Sequence, residues 1–196
     1  MAAELIIPTP DLFVATDRDF DPESYYVGRA IDPLIPSVPG FFSSYASEWP
    51  MVTVHARNQK NGRGHTVNFL FDTGAGATII NGRDAEALSI SYRTTTGNKT
   101  LGTGDFRMDS RPAKLRFSFI GTFLSGDETR VRQALLQSSV NVLVPDTTFN
   151  EELPSLMGRN LIQLFEWSMA HGSLLLNVRP ASSRRFTANA ISRKNY

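Results

Sequence analysis

An all-β fold with one or two short helices is predicted by three features of this 196-residue chain. Apolar and polar residues alternate with period two in several short segments, the pattern of strands with one buried face. Polar, glycine-bearing turns separate those segments at short intervals. The stretches with helix-compatible spacing are few and short.

Taken in order, residues 1–50 hold seven of the eleven prolines and eight aromatics, among them Phe13, Tyr25, Tyr26, Phe41, Phe42 and Trp49. Proline at that density predicts neither long helices nor interior strands. Disordered linkers are poor in aromatics, so the segment reads as an extended arm that packs on something. From Met51 the alternation Met-Val-Thr-Val-His-Ala predicts a strand, and Asn58–Gly64 a hairpin turn. A second strand, His65–Phe71, becomes continuously apolar at its end and so enters a core. Ala77–Ile80 is a short apolar piece, and Arg83–Leu88 suits one or two helical turns.

Tyr92–Phe106 is rich in Thr and Gly between strand-like flanks, and Ala113–Phe123 alternates again. Val131, Leu135 and Leu136 give Asp127–Gln137 a helical spacing, capped by Ser125 or Asp127, and Val140–Val144 reads as a separate strand. Gly158–Trp167 fits a short helix. Ser173–Val178 reads as the final strand, ended by Arg179-Pro180. The resulting division is an acidic arm at 1–50, a domain at 51–178 and a basic tail at 179–196, with no internal repeat.

Composition removes whole classes of chemistry. The chain has no cysteine, which excludes thiol nucleophiles, disulfides, zinc–thiolate sites and iron–sulfur clusters. His55, His65 and His171 lack metal-ligand spacing, so neither a metal nor a cofactor is expected. No apolar run approaches the ~18 residues of a membrane span, and residues 1–13 lack the charged start and long apolar run of a secretory signal. The reading is cytoplasmic. The net charge of +1 conceals eight acids against two bases in residues 1–50, and five bases with no acid in 179–196. That tail is a solvated terminus or, as the lesser reading, a nucleic-acid contact.

Chemistry concentrates at Phe69-Leu-Phe-Asp72-Thr73-Gly74-Ala75-Gly76-Ala-Thr-Ile-Ile80. A carboxylate at the end of a buried strand is costly unless it is hydrogen-bonded, paired or protonated. Gly74 permits a tight turn, and Thr73 offers a hydroxyl to lock it. Gly74-x-Gly76 lacks the third glycine of a dinucleotide loop and sits among strands. The plain structural reading of Asp72 is a strand-end Asx-turn.

The stretch resembles the catalytic loop of aspartic proteases. Downstream, Leu156-Met-Gly158-Arg159-Asn160-Leu-Ile162 and the strand at 173–178 look like the closing helix and strand of the retropepsin-like branch. The resemblance covers residues 51–178 and implies a virion or retroelement particle as the other setting beside the cytoplasm. It implies a closed, barrel-like β domain, active as a C2 homodimer, that hydrolyses extended polypeptides. Only one Asp-Thr-Gly is present, since Asp146-Thr147-Thr148 lacks the glycine. The second carboxylate must therefore be Asp72 of another copy. The family analogy assigns Thr73, Gly74 and Arg159 to supporting the loop, and Ala75 and Gly76 to lining the cleft. Thr95–Gly104, with Gly97, Leu101, Gly102 and Gly104, would be the hairpin that closes over substrate.

Two departures stand out. Family members often carry an acid where Gly76 stands, paired with the helix arginine, so Arg159 needs another acceptor. The chain is also longer around residues 120–150. The arm, finally, can serve as a packing element or as a pro-segment, with self-cleavage near Phe41-Phe42 or Tyr25-Tyr26. The rival to an enzyme is a non-catalytic module of the same fold that dimerises or binds peptides.

Overall fold

A computed structural model describes residues 21–43, 49–90, 99–101, 108–124, 131–145, 153–170 and 173–194. The strands are β1 (Tyr25–Ala30), β2 (Ser37–Ser43), β3 (Trp49–Asn58), β4 (Gly64–Phe71), β5 (Lys99–Leu101), β6 (Met108–Leu124), β7 (Val131–Pro145), β8 (Ser155–Met157), β9 (Phe165–Ala170), β10 (Ser173–Val178) and β11 (Thr187–Arg193). The α-helices among the described residues are α1 (Gly82–Ala87) and α2 (Arg159–Ile162). The fold class is all-β. The strands join one sheet in the order β1-β11-β7-β6-β2-β3-β4-β8, with β5 on β6, β10 on β2, and β9 on β10; β6 also pairs with β3.

The β3–β4 hairpin forms where alternation and turn chemistry coincide. Register runs from Met51↔Leu70 to Arg57↔Gly64. At the turn, the Lys60 and Arg63 N–H groups donate to the side chains of Asn58 and Asn61, and Gly62 takes a positive φ of 75° that a Cβ would oppose. Val52, Val54 and Ala56 of β3 and Val67, Phe69 and Phe71 of β4 point into the core.

The stretch read as a helix over Asp127–Gln137 is instead strand from Val131 onward, and Val140–Val144 is part of that same strand. β7 pairs with β6 without a break from Ser110↔Pro145 to Leu124↔Val131. The adjacent leucines that suggested a helix lie on opposite faces of the sheet. Leu136 enters the main core, while Leu135 packs with Tyr25, Ile191 and Ile120 in a second, smaller cluster. A strand buried on both faces loses its period-two signature.

Two further expectations are corrected. The helix expected over Gly158–Trp167 ends at Ile162, because the chain then pairs as β9 with β10 from Phe165↔Val178 to Ser173↔Ala170. Ser173–Val178 is a strand but not the last. After a 3-10 turn at Pro180–Arg185, β11 runs between β1 and β7. Its signal is weak in sequence because its inward residues are mostly small: Ala188 and Ile191 are buried after Phe186, while Arg184, Arg185 and Arg193 face solvent.

The proline-rich front also enters the sheet. β2 is interior despite Pro39, contrary to the expectation from proline density. It pairs with β10 over residues 37–40 and with β3 over 41–43, so Pro39 sits where the strand has one neighbour and its missing N–H costs no second ladder bond. Phe41-Phe42 and Tyr25-Tyr26, the suggested self-cleavage points, lie in paired strands β2 and β1. The core is threaded by aromatic rings in contact: Phe69–Phe117, Phe117–Phe119, Phe119–Phe165 and Phe165–Phe186, with centroids 5.2–6.4 Å apart. This chain of rings ties β4, which carries Asp72 at its end, to β6, β9 and the C-terminal segment.

Candidate active site

β4 leaves the core at Phe71, and Asp72 is the first residue beyond it. Its N–H donates to Met157 O at 3.1 Å, extending the parallel pairing of β4 with β8 by one rung. The Asp72 side chain then organises the turn. Its Oδ1 accepts the N–H of Gly74 at 2.8 Å and of Ala75 at 3.2 Å. No hydrogen bond to Oδ2 is made among the described residues. One oxygen is therefore fixed by backbone N–H groups, while the other makes no hydrogen bond to a described residue. Asp72 is half-buried, and Thr73 and Gly74 are exposed beside it.

The chain after the turn is inserted between two strands. Ile79 exchanges backbone hydrogen bonds with Leu156 of β8, while Ile80 N donates to Leu143 O and Leu143 N to Thr78 O on the β7 side, all at 2.9 Å. Segment 72–80 is thus pinned at both ends, which limits the movement of the carboxylate. Asn81 caps α1 by accepting from Asp84 N–H.

α2 completes the support. Gly158 passes so close to segment 77–78 that a Cβ there would lie 2.2 Å from Ala77 O and 2.9 Å from Thr78 N, so only glycine fits. Arg159 N–H donates to Ala75 O at 2.8 Å. The Asn160 side chain carries the strongest tie. Its Oδ1 accepts both the N–H of Thr78 at 2.7 Å and the Thr78 hydroxyl at 2.8 Å, and its Nδ2 donates to Asn141 O at 2.9 Å. The Gly-Arg-Asn resemblance had directed attention to Arg159; the side chain that reaches the loop by hydrogen bonds is Asn160. Thr78 was hidden inside a segment read only as apolar.

A second polar cluster sits behind the loop. The Ser155 hydroxyl donates to Asp84 Oδ2 at 2.5 Å and accepts from Asn81 N–H at 3.0 Å, and His65 Nε2 lies 3.4 Å from Asp84 Oδ1. It links β8, α1 and β4. Nothing in its spacing, over residues 65, 84 and 155, announces it in the sequence.

Of the predicted site residues, Asp72, Thr73, Gly74, Ala75, Gly76 and Arg159 are brought together around one turn. Arg159 meets the loop through its main chain; its guanidinium lies beside Gly76. Leu101 lies in β5, which pairs antiparallel with β6 through Lys99↔Ser110, Thr100↔Asp109 and Leu101↔Met108; the rest of the expected covering hairpin over Thr95–Gly104 lies outside the described residues. Gly97, Gly102 and Gly104 fall outside the described residues. Among the described residues no group of three or more His, Cys, Asp or Glu is arranged to hold a metal, and no helix is long and apolar enough to cross a membrane.

Comparison with known proteins bears on this geometry. No curated protein matches the chain. Among solved structures, a retropepsin-like aspartic protease from Rickettsia conorii aligns over 85% of this chain and 96% of its own, with 17% identity and a TM-score of 0.49. The EIAV protease, solved with the inhibitor HBY-793, aligns over 62% of this chain and 91% of its own, with 18% identity and a TM-score of 0.35. Residues 59–123, from the β3–β4 turn through Asp72 to the end of β6, match the family model of the gag-polyprotein putative aspartyl protease, and over that stretch the chain is similar to the retropepsin-like aspartic proteases.

Proposed function

We propose that the chain is an aspartic endopeptidase whose active unit is a homodimer, with Asp72 of each copy supplying one carboxylate. The observation that carries this reading is the way Asp72 is held. It stands at the end of a core strand, has one oxygen fixed by two backbone N–H groups and the other free of bonds among the described residues, and lies within the matched family segment.

Peptide hydrolysis needs a base to take a proton from water and an acid to protonate the leaving nitrogen. One carboxylate cannot hold both states at once. Two brought together share a single proton because both cannot ionise side by side, so one acts as base and the other as acid. The pinned loop supports this role by fixing where the oxygens meet. Substrate would lie as an extended strand over Ala75 and Gly76 and beneath the β5–β6 hairpin, recognised through backbone hydrogen bonds and alternating side-chain pockets. The oxyanion of the tetrahedral intermediate would be stabilised by the proton of the acid partner.

A second reading rests on the same hydrogen bonds. An aspartate whose Oδ1 closes an Asx-turn is already explained by local structure, which suits a non-catalytic dimerisation or peptide-binding module. Incubation with a mixed peptide pool separates the two. Wild type should cleave, and Asp72→Asn, which keeps the turn's acceptor, should lose about 10²–10⁴-fold in rate. If both proteins leave every peptide intact while binding some of them, the module reading holds.

A further inference from the structure

Among the described residues, Arg159 is a cation whose side chain has no partner, beside the turn that carries Asp72. Its main chain is fixed to the loop by the bond to Ala75 O. Its guanidinium is exposed and makes no hydrogen bond or ion pair among the described residues. The position facing it is Gly76. A Cβ built there would have one heavy atom within 4 Å, Nη2 of Arg159 at 3.8 Å, so the missing side chain leaves room directly in front of the fork. The residues flanking the guanidinium along the chain and across the turn (Ala75, Gly76, Ala77, Asn160, Leu161) supply no carboxylate.

We propose that Arg159 is a specificity-determining residue that selects an acidic side chain of the bound polypeptide, with Gly76 opening the space that side chain enters. This rests on the peptide-cleft reading above. A guanidinium offers a planar fork of donors that matches a carboxylate in two parallel hydrogen bonds. A peptide crossing Ala75 and Gly76 as a strand directs alternate side chains toward the protein, and one of these would be positioned against Arg159. The subsite lies four residues along the loop from Asp72, so it reads a residue flanking the cleaved bond and not the bond itself. The same chemistry could be met by a carboxylate from the second copy; the experiment separates the two sources.

The test starts from a randomised ten-residue peptide pool digested by wild-type protein, with fragments sequenced to find the position most enriched in Asp or Glu. Two peptides differing only as Glu or Gln at that position are then compared through the ratio of their kcat/KM values, a ratio insensitive to the amount of active protein. Wild type should favour Glu by about five- to tenfold at low salt, less at high salt. Arg159→Gln should bring the ratio to about one. Gly76→Asp should do the same, because it supplies a carboxylate in cis; Gly76 has room for a side chain and lies outside the positive-φ region. No acidic enrichment in wild type, or a ratio unchanged in both variants, overturns the proposal. So does a wild-type ratio near one together with weaker dimerisation of Arg159→Gln, which assigns the carboxylate to the partner copy. If wild type cleaves nothing, peptides of the same pool that stay bound to the protein are sequenced instead, and the Glu and Gln forms at the position most enriched in acid are compared by affinity in fluorescence anisotropy. An Arg159-dependent preference for Glu then sustains the subsite while the protease reading fails, and equal affinities overturn the subsite.

Discussion

Replacing Asn160 by alanine removes three hydrogen bonds at once, and their geometry sets the cost. Thr78 is fully buried, and its N–H and hydroxyl both end on Asn160 Oδ1 at 2.7 and 2.8 Å. The hydroxyl can rotate to seek another acceptor, but the N–H cannot. A buried donor left unmade costs about 1–3 kcal/mol. The third bond, from Nδ2 to Asn141 O, is exposed and adds roughly 0.5–1 kcal/mol. The total, about 2–4 kcal/mol, is a large share of the ~5–15 kcal/mol that holds a domain together. In urea titrations the midpoint should therefore fall with little change in slope. The melting temperature should drop by about 4–16 °C for a chain of this size. Asn160→Asp, which keeps the acceptor and loses only the donor, should cost less than alanine. A double-mutant cycle with Thr78→Val should show coupling of at least ~0.5 kcal/mol. If Asn160→Ala unfolds within ~0.5 kcal/mol of wild type, Asn160 is not what pins the Asp72 loop.

Three further outcomes follow from the same contacts. Gly158→Ala places a methyl carbon 2.2 Å from Ala77 O, a backbone atom that cannot step aside, so it should destabilise by about 3 kcal/mol or more, seen as lost soluble yield or a midpoint far below wild type. Asp84→Ala leaves the fully buried Ser155 hydroxyl without its 2.5 Å acceptor and should lower stability by about 1–3 kcal/mol; because Ser155→Ala also removes the acceptor of Asn81 N–H, the pair is tested by a double-mutant cycle, in which the two losses should be less than additive. Deleting residues 180–196 strips β11 from β7 and removes buried Phe186, Ala188 and Ile191, so cooperative unfolding should be lost; a truncated chain with an unchanged midpoint would show that the segment is dispensable.

What the sequence disclosed depended on whether apolar and polar residues alternate along an element. β4 has one buried side, and β3 and β6 keep the alternation although some of their polar residues, His55 and Ser118 among them, are buried as well, so all three were readable residue by residue. β7 was misread at Leu135-Leu136 because Leu135, on the face away from the main core, is itself apolar and buried, packing with Ile120, Ile191 and Tyr25 of the neighbouring strands of the same sheet. β11 itself was missed because its buried residues, Ala188 and Ile191, are few and do not alternate with period two, and the turn before it carries Arg184 and Arg185. β2 was hidden by Pro39, an interior position made tolerable only by a change of partner strand halfway along. At the site, Asp72, Thr73 and Gly74 were legible because one tight turn collects consecutive residues. Thr78–Asn160 and His65–Asp84–Ser155 were not, since each joins residues far apart in the chain through contacts that only the packed sheet creates.

The claim on which the account turns is that half a site sits on each chain. Mixing a fixed amount of wild type with increasing Asp72→Asn protein tests it, once the two have been allowed to exchange partners. If the site is shared, mixed dimers carry one working carboxylate, and activity per wild-type chain falls toward zero as the variant reaches large excess. Activity that stays constant at every ratio would contradict it, and would place the whole catalytic apparatus within a single copy.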